Sequence, residues 1–385
     1  MKLIDLPTRE ERIELLRETV KCFSERAWKH DEEASFPVEN IEDLKRIGYH
    51  TLTVPAEYGG LEISLQELVQ LQETVAQADG STALSFGWHM GIVKHLGETR
   101  PWEASIFERF CSDVVENGAL LNNAASESGT GSPTRGGRPE TTAVKQDEHW
   151  VITGRKTFTT MSPVLDYFVV SAAIHGTNKI GNFLIHKNRP RVAIEETWDS
   201  VAMRGTGSHD LVLKKVEVPL ENLVEYITPG KKQAAGWLLH IPACYLGIAK
   251  AAQEYAIRFA KTYSPNSIEG TIAELPYVKQ KIGEMELYIQ QSQHFMYSVA
   301  KAWDESNFED RQMMRGELGA VKHAVVNHAL NIVDLAMRIV GARSLSKKNP
   351  LQRYYRDVRA GLHNPPMDDA TIGLLADDAL RKINE

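Results

Sequence analysis

The sequence predicts a multidomain α+β protein: an N-terminal helical domain, a middle antiparallel β domain and a C-terminal four-helix bundle. Three features predict it. Apolar residues recur at helical spacing up to about residue 117. Short β-prone runs separated by Gly, Pro, Asn and Asp fill the middle, and long three-four apolar steps return beyond Pro229-Gly230. A chain of 385 residues is too long for one compact core, so domains spanning 1–117, 118–229 and 230–385 are expected.

In the first region, Ile13, Leu16, Val20, Phe23 and Trp28 stand near helical spacing, with Thr8 as N-cap. "VPAEYGG" (Val54 to Gly60) reads as a turn. Ser64 with Glu67 three residues on forms a capping box for the next helix, and "STALSFGWHMGIVKHLG" reads as a buried helix. From Gly118 the runs "ALLNNAAS", "ETTAVKQ", "HWVITGRKTFTT", "DYFVVSAAI", "NFLIHK", "RVAIEE" and "HDLVLKKVEVP" have the spacing of a compact antiparallel sheet. Three long helices follow. Ile241, Tyr245, Ile248, Ala252, Tyr255 and Phe259 mark the first, and Val278 to Trp303 the second. Leu318, Val321, Val325, His328, Ile332, Leu335 and Ile339 mark the third, with Gly341 as its C′ residue. Such stripes pack as a bundle. His328, on an apolar stripe, is expected to be a packing residue.

A net charge of −7 argues against nucleic acid as a partner, because phosphate binding needs a basic face. Cys22, Cys111 and Cys244 lie far apart, so neither a disulfide framework nor a metal site is expected, and a reducing cytoplasm fits. The N-terminus has no signal-peptide core, and no apolar run reaches the roughly 18 residues a membrane span needs.

Two segments carry candidate chemistry. "LNNAASESGTGSPTRGG" (Leu121 to Gly137) places Gly129, Gly131 and Ser132 after a β run, where backbone amides can approach an anion. It is neither a Rossmann nor a P-loop pattern. In "GRKTFTTMS" (Gly154 to Ser162), Phe158 and Thr160 stand two apart on a strand and so share a face. An aromatic wall beside a hydroxyl suits one side of a planar heterocycle.

These pieces occur in a specific order. "VPAEYGG", "SESGTGS", "GRKTFTTMSPVLDYFVVSA", "MRGTGSHDLVLKKVEVP", "YLGIAKAAQEYAI" and "YYRDVRAG" resemble, in sequence, six motifs of the acyl-CoA dehydrogenase superfamily across nearly the whole chain. The resemblance implies FAD between the β domain and the bundle, in a homotetramer or homodimer. It implies that Asn123, Ala125 and Ser126 line the isoalloxazine and that Gly131 and Ser132 face the pyrophosphate. Phe158 would stack beside the ring, Thr160 would bond near N5, and Gly341 would approach the FAD of a neighbouring subunit. The resemblance further implies substrate contacts from His89, Arg204 and Ser208, with plain helix packing as the favoured alternative for His89.

The family reaction is α,β-dehydrogenation of an acyl-CoA thioester. A carboxylate takes the α-proton, the β-hydride goes to flavin N5, and an electron-acceptor flavoprotein can reoxidise the ring. The family's Glu-Gly pair is absent. "NPPMDDATIGLL" covers that position, and Asp368 is the nearest carboxylate, as base or as cap of the last helix. The first bundle helix, where some members keep a base, opens with "AAGWLLHIPACY" and offers only His240 and Trp237. "MRGTGSHDL" and "RAGLHNPP" also resemble the monooxygenase branch, which uses reduced flavin and O2 and needs no such base. There His89, Ser208 or His363 would handle activated oxygen or position an aromatic substrate. A non-catalytic flavin-binding homologue is the third reading.

Overall fold

The computed structural model describes residues 1–130, 136–228 and 233–383. Gly131 and Ser132 lie outside the described residues. The first region holds α1 (Arg9–Val20), α2 (Phe23–Glu33), α3 (Val38–Arg46), α4 (Leu65–Ala78), α5 (Gly80–Thr99) and α6 (Ala104–Asn117). Thr8 closes a full capping box on α1. At α4 only half of the expected box forms. Ser64 accepts from the Glu67 amide, but the Glu67 carboxylate turns to the Arg12 guanidinium, at 2.5 and 2.9 Å, in a buried fork. The first apolar stripe also ends early: Trp28 is half exposed, because the chain turns between Val20 and Phe23 and starts a new helix.

The middle region is one eight-stranded sheet with the path β6-β7-β3-β2-β4-β5-β8 and β1 joined to β4. Its strands are β1 (Leu121–Ala124), β2 (Thr142–Lys145), β3 (His149–Thr159), β4 (Tyr167–Ile174), β5 (Ile180–His186), β6 (Val192–Glu195), β7 (His209–Pro219) and β8 (Leu223–Ile227). It is not purely antiparallel: β1 and β2 both run parallel to β4. Parallel pairing needs long connections rather than tight hairpins, and β3 lies between β2 and β4 in the chain.

The last region holds α7 (His240–Thr262), α8 (Pro276–Glu305), α9 (Phe308–Met313), α10 (Arg315–Val340), α11 (Pro350–Ala360) and α12 (Asp368–Lys382). Helices α7, α8, α10 and α11 form the bundle, and α4 lies along α7, so the helical regions share one core around Phe86, Tyr245, Val325 and Ile332. By length and composition alone α10 could cross a membrane. Its stripe of Val321, Val325, Ile332 and Ala336 is instead fully buried against protein. His328 packs as expected, with Nδ1 3.0 Å from Ser292 Oγ and its ring against Tyr288. Gly341 ends α10 at φ 70°, a conformation that disfavours a side chain.

The tightest seam is α4 against α7. A Cβ on Gly247 would stand 2.5 Å from the Glu73 carbonyl oxygen and 2.6 Å from Ala76 Cβ. Gly247→Ala is therefore expected to destabilise the protein by about 1–3 kcal/mol through overpacking. Thermal unfolding checks this; an unchanged Tm would contradict the close approach.

Candidate functional site

The site is built on the segment after β1. Glu127, 4% exposed, lies under it and receives four donors. Lys156 Nζ is at 2.6 Å, the Glu140 and Thr141 amides at 2.6 and 3.0 Å, and Thr130 Oγ1 at 3.0 Å. Burial works to raise its pKa, but the Lys156 bond and the Thr141 and Glu140 donors outweigh it and bring it to about 2. Lys156 is fully buried, and its other bond is to Ser171 Oγ at 3.3 Å; burial pulls its ammonium below the usual lysine range. The pair ties the Ala125–Thr130 segment to β2, β3 and β4.

Above this anchor the Thr157 amide donates to the Ser126 carbonyl. Strand β3 has a register shift between Lys156 and Thr159, and Phe158 and Met161 take left-handed φ of 55° and 67°. Thr160 lies in the turn beyond the strand, so strand alternation does not put it on one face with Phe158. The bulge instead swings the Phe158 ring outward, 65% exposed, with its edge against Trp198. Thr160 Oγ1 bonds Ser208 Oγ at 2.9 Å, which bonds Thr206 Oγ1 at 2.8 Å. Asn122 donates to the Thr160 carbonyl at 2.9 Å and, through its side-chain oxygen, accepts from the Asn123 amide. Asn123, Phe158, Ala125, Ser126 and Thr160 thus form a partly open floor with an exposed aromatic wall and a hydroxyl. That arrangement fits one face of a flavin ring. Gly341 has no atom within 4 Å of where a Cβ would stand, so its surface is open to close approach.

Between the sheet and the bundle lies a cavity of about 710 Å³. Ser171, Ile180 and Ile227 form one wall, and Arg315, Leu318 and Lys322 of α10 another. Pro365, Pro366, Met367, Asp369 and Thr371 close it at the start of α12. Asp368 turns away from this space. One oxygen meets Lys322 Nζ at 3.1 Å; the other meets Asn327 Nδ2 at 3.3 Å and lies 3.1 Å from His323 Nδ1. Partial burial opposes its charge, but Lys322, Asn327 and His323 prevail and hold the carboxyl below the ordinary aspartate range. Asp368 is not the helix cap either: Met367 occupies that position and supplies no side-chain bond.

Two expected substrate residues are structural. His89 is fully buried: Nε2 donates to the His50 carbonyl at 3.1 Å and Nδ1 accepts from the Leu121 amide at 3.1 Å. Burial lowers its pKa to about 4, so a neutral imidazole pins α5 to β1. Arg204 spends its guanidinium on the carbonyls of Asp31 and Ser200, bracing the loop before β7 against α2. Ser208 stays in the hydroxyl chain behind Thr160. His363 is exposed on the short turn before the prolines. Glu127, Lys156 and Lys322 escaped the sequence reading. A charged residue set in an apolar or β-prone run was the available signal for the two lysines.

Comparison with known proteins bears on the family and the fold. The N-terminal, middle and C-terminal domains of acyl-CoA dehydrogenase match residues 10–98, 122–216 and 239–364. YdbM of Bacillus subtilis, provisionally named an acyl-CoA dehydrogenase, is 53% identical over 93% of both chains. L-evernosamine nitrososynthase of a Micromonospora strain is 26% identical over 91% of this chain and 85% of its own. The structure of TdsC from Paenibacillus with FMN and indole superposes with a TM-score of 0.86 at 24% identity, over 96% of each chain, which speaks for the fold.

Removing Asp368 strands the buried Lys322 ammonium. Asp368→Asn is expected to destabilise the protein by about 1–3 kcal/mol, and adding Lys322→Met to recover most of that. Because the folded pKa of Asp368 is depressed, its contribution is present above the ordinary aspartate value and is lost as pH falls through the folded one. Denaturant unfolding of the double-mutant cycle at neutral and acid pH checks both points; additive effects would contradict the pairing.

Proposed function

The chain belongs to the acyl-CoA dehydrogenase family, and on that premise we propose that it uses reduced flavin and O2 to oxygenate a small, largely apolar substrate. Members of this family are flavin oxidoreductases acting on small molecules, and the flavin-binding fold is present along the whole chain. The observation that carries the reading is the condition of Asp368. A base that takes a thioester α-proton works best desolvated with a raised pKa. Asp368 instead has three polar neighbours, carries a lowered pKa and faces Lys322. The cavity side of that stretch is Pro365, Pro366 and Met367. The resemblance of "RAGLHNPP" to the monooxygenase branch and the 26% identity to a nitrososynthase point the same way.

In this reading the flavin supplies the electrons that activate O2. The chain's own part is to hold the ring against Asn123, Ala125, Ser126 and Phe158 and to enclose the substrate in the cavity lined by Ile180, Ile227, Leu238 and Leu239. The Thr160–Ser208–Thr206 chain can hold or pass a proton at Thr160 Oγ1. FAD is the proposed form, with Gly341 facing the nucleotide of a second copy in a cytoplasmic homodimer or homotetramer. The FMN bound to TdsC makes FMN the competing form.

A second reading has one observation in its favour: Asp369 lines the cavity. Acyl-CoA dehydrogenation would then use Asp369, or Asp368 after leaving Lys322, as base, with an electron-transfer flavoprotein as acceptor. The two readings separate in an anaerobic titration of flavin-loaded protein with butyryl-CoA and 3-phenylpropionyl-CoA. No bleaching of the flavin band is expected. Bleaching that disappears in Asp368→Asn or Asp369→Asn would overturn the oxygenase reading.

A further inference from the structure

We infer that the substrate held in this cavity carries an anionic group, and that Arg315 is the residue that selects for it. The inference rests on the proposed function only in taking the cavity between sheet and bundle as the substrate's place. Arg315, Leu318, Gly319 and Lys322 lie on one stripe of α10, spaced three and four apart, and all four line the cavity. The Cα atoms of Arg315 and Lys322 stand about 10 Å apart along the helix axis. Their situations differ. Lys322 is bound to Asp368. Arg315, half-buried, has no hydrogen-bond or ion-pair partner among the described residues. Asp369, also in the wall, has a partner of its own. An uncompensated guanidinium facing mostly apolar walls is therefore left over in the cavity.

A second observation points to a ligand at the same place. Thr371, on the first turn of α12, is 3% exposed and lines the cavity, and its Oγ1 has no hydrogen-bond partner. It faces α10 at Gly319, one turn beyond Arg315: a Cβ on Gly319 would stand 3.1 Å from that hydroxyl. Buried hydroxyls normally find a partner. The start of α12 is also without a side-chain cap, and helix starts favour negative charge. A guanidinium and a helix start beside one space suit a carboxylate, sulfonate or phosphate oxygen. The remaining lining of Ile180, Ile227, Leu238 and Leu239 suits an apolar body attached to it.

The anion could belong to the substrate itself or to a phosphorylated carrier, and binding to the flavin-loaded protein distinguishes these without turnover. Two ligand pairs are titrated, followed by perturbation of the flavin absorbance: 3-phenylpropionate against its amide, and 3-phenylpropionyl-CoA against 3-phenylpropionyl-pantetheine. The charged member of at least one pair is expected to bind about tenfold tighter or more than its neutral partner. Arg315→Gln should erase that preference, Arg315→Lys should keep part of it, and flavin content should stay at the wild-type level. A preference in the first pair assigns the anion to the substrate, and one confined to the second assigns it to the carrier. Equal affinity within both pairs, no binding by any of the four, or a preference that survives Arg315→Gln overturns the inference. Oxygenase activity can fail independently of each of these outcomes.

Discussion

The candidate site depends on one buried ion pair, Lys156 with Glu127. The segment from Ala125 to Thr130 lies beyond the end of β1 and consists mostly of small residues, whose backbone is costly to order. Glu127 supplies the missing order by taking donors from the Thr130 hydroxyl, from two amides just before β2 and from Lys156 on β3. Buried pairs of this kind add little net stability, since desolvation offsets attraction, but removing one partner is costly. Their effect is geometric: the residues above the pair, Ala125 and Ser126, keep a fixed height relative to Phe158 and Thr160.

The second constraint lies on the bundle side. The start of α12 is fastened to α10 by Asp368 on Lys322 and Asn327, and Tyr245 of α7 reaches the preceding turn through its hydroxyl on Asn364. These bonds set which side chains of residues 364–371 meet the cavity. They turn the Asp368 carboxylate away from it and leave prolines, a methionine, Asp369 and a threonine in its wall. The functional reading follows from that orientation rather than from residue identity.

Much of the architecture was legible in the sequence. Stripes at three-four spacing located the long helices, and Gly341 marked the end of α10. The β-prone runs located the sheet, though not the parallel β1–β4 and β2–β4 pairs, because alternation reports which face is buried and not which strand is the neighbour. The site was less legible. Phe158 and Thr160 were singled out by residue type, but the bulge and left-handed backbone that present them leave no periodic trace. His89 and Arg204 looked chemical because they are polar residues near cavity-forming segments. Apart from the Arg204 bond to the nearby Ser200 carbonyl, their bonds go to main-chain groups far away in sequence, and no local pattern encodes such partners. The same holds for Asp368, whose partner Lys322 stands on another helix.

In the oxygenase reading Asp368 belongs to Lys322 and not to the substrate. A crystal structure of the flavin-loaded protein with a bound cavity ligand measures this directly. The account predicts the ring against Asn123 to Ser126 and Phe158, with the Lys322–Asp368 contact intact and the Asp368 carboxylate out of hydrogen-bond reach of the ligand. An Asp368 side chain released from Lys322 and placed against the ligand carbon nearest flavin N5 would contradict it.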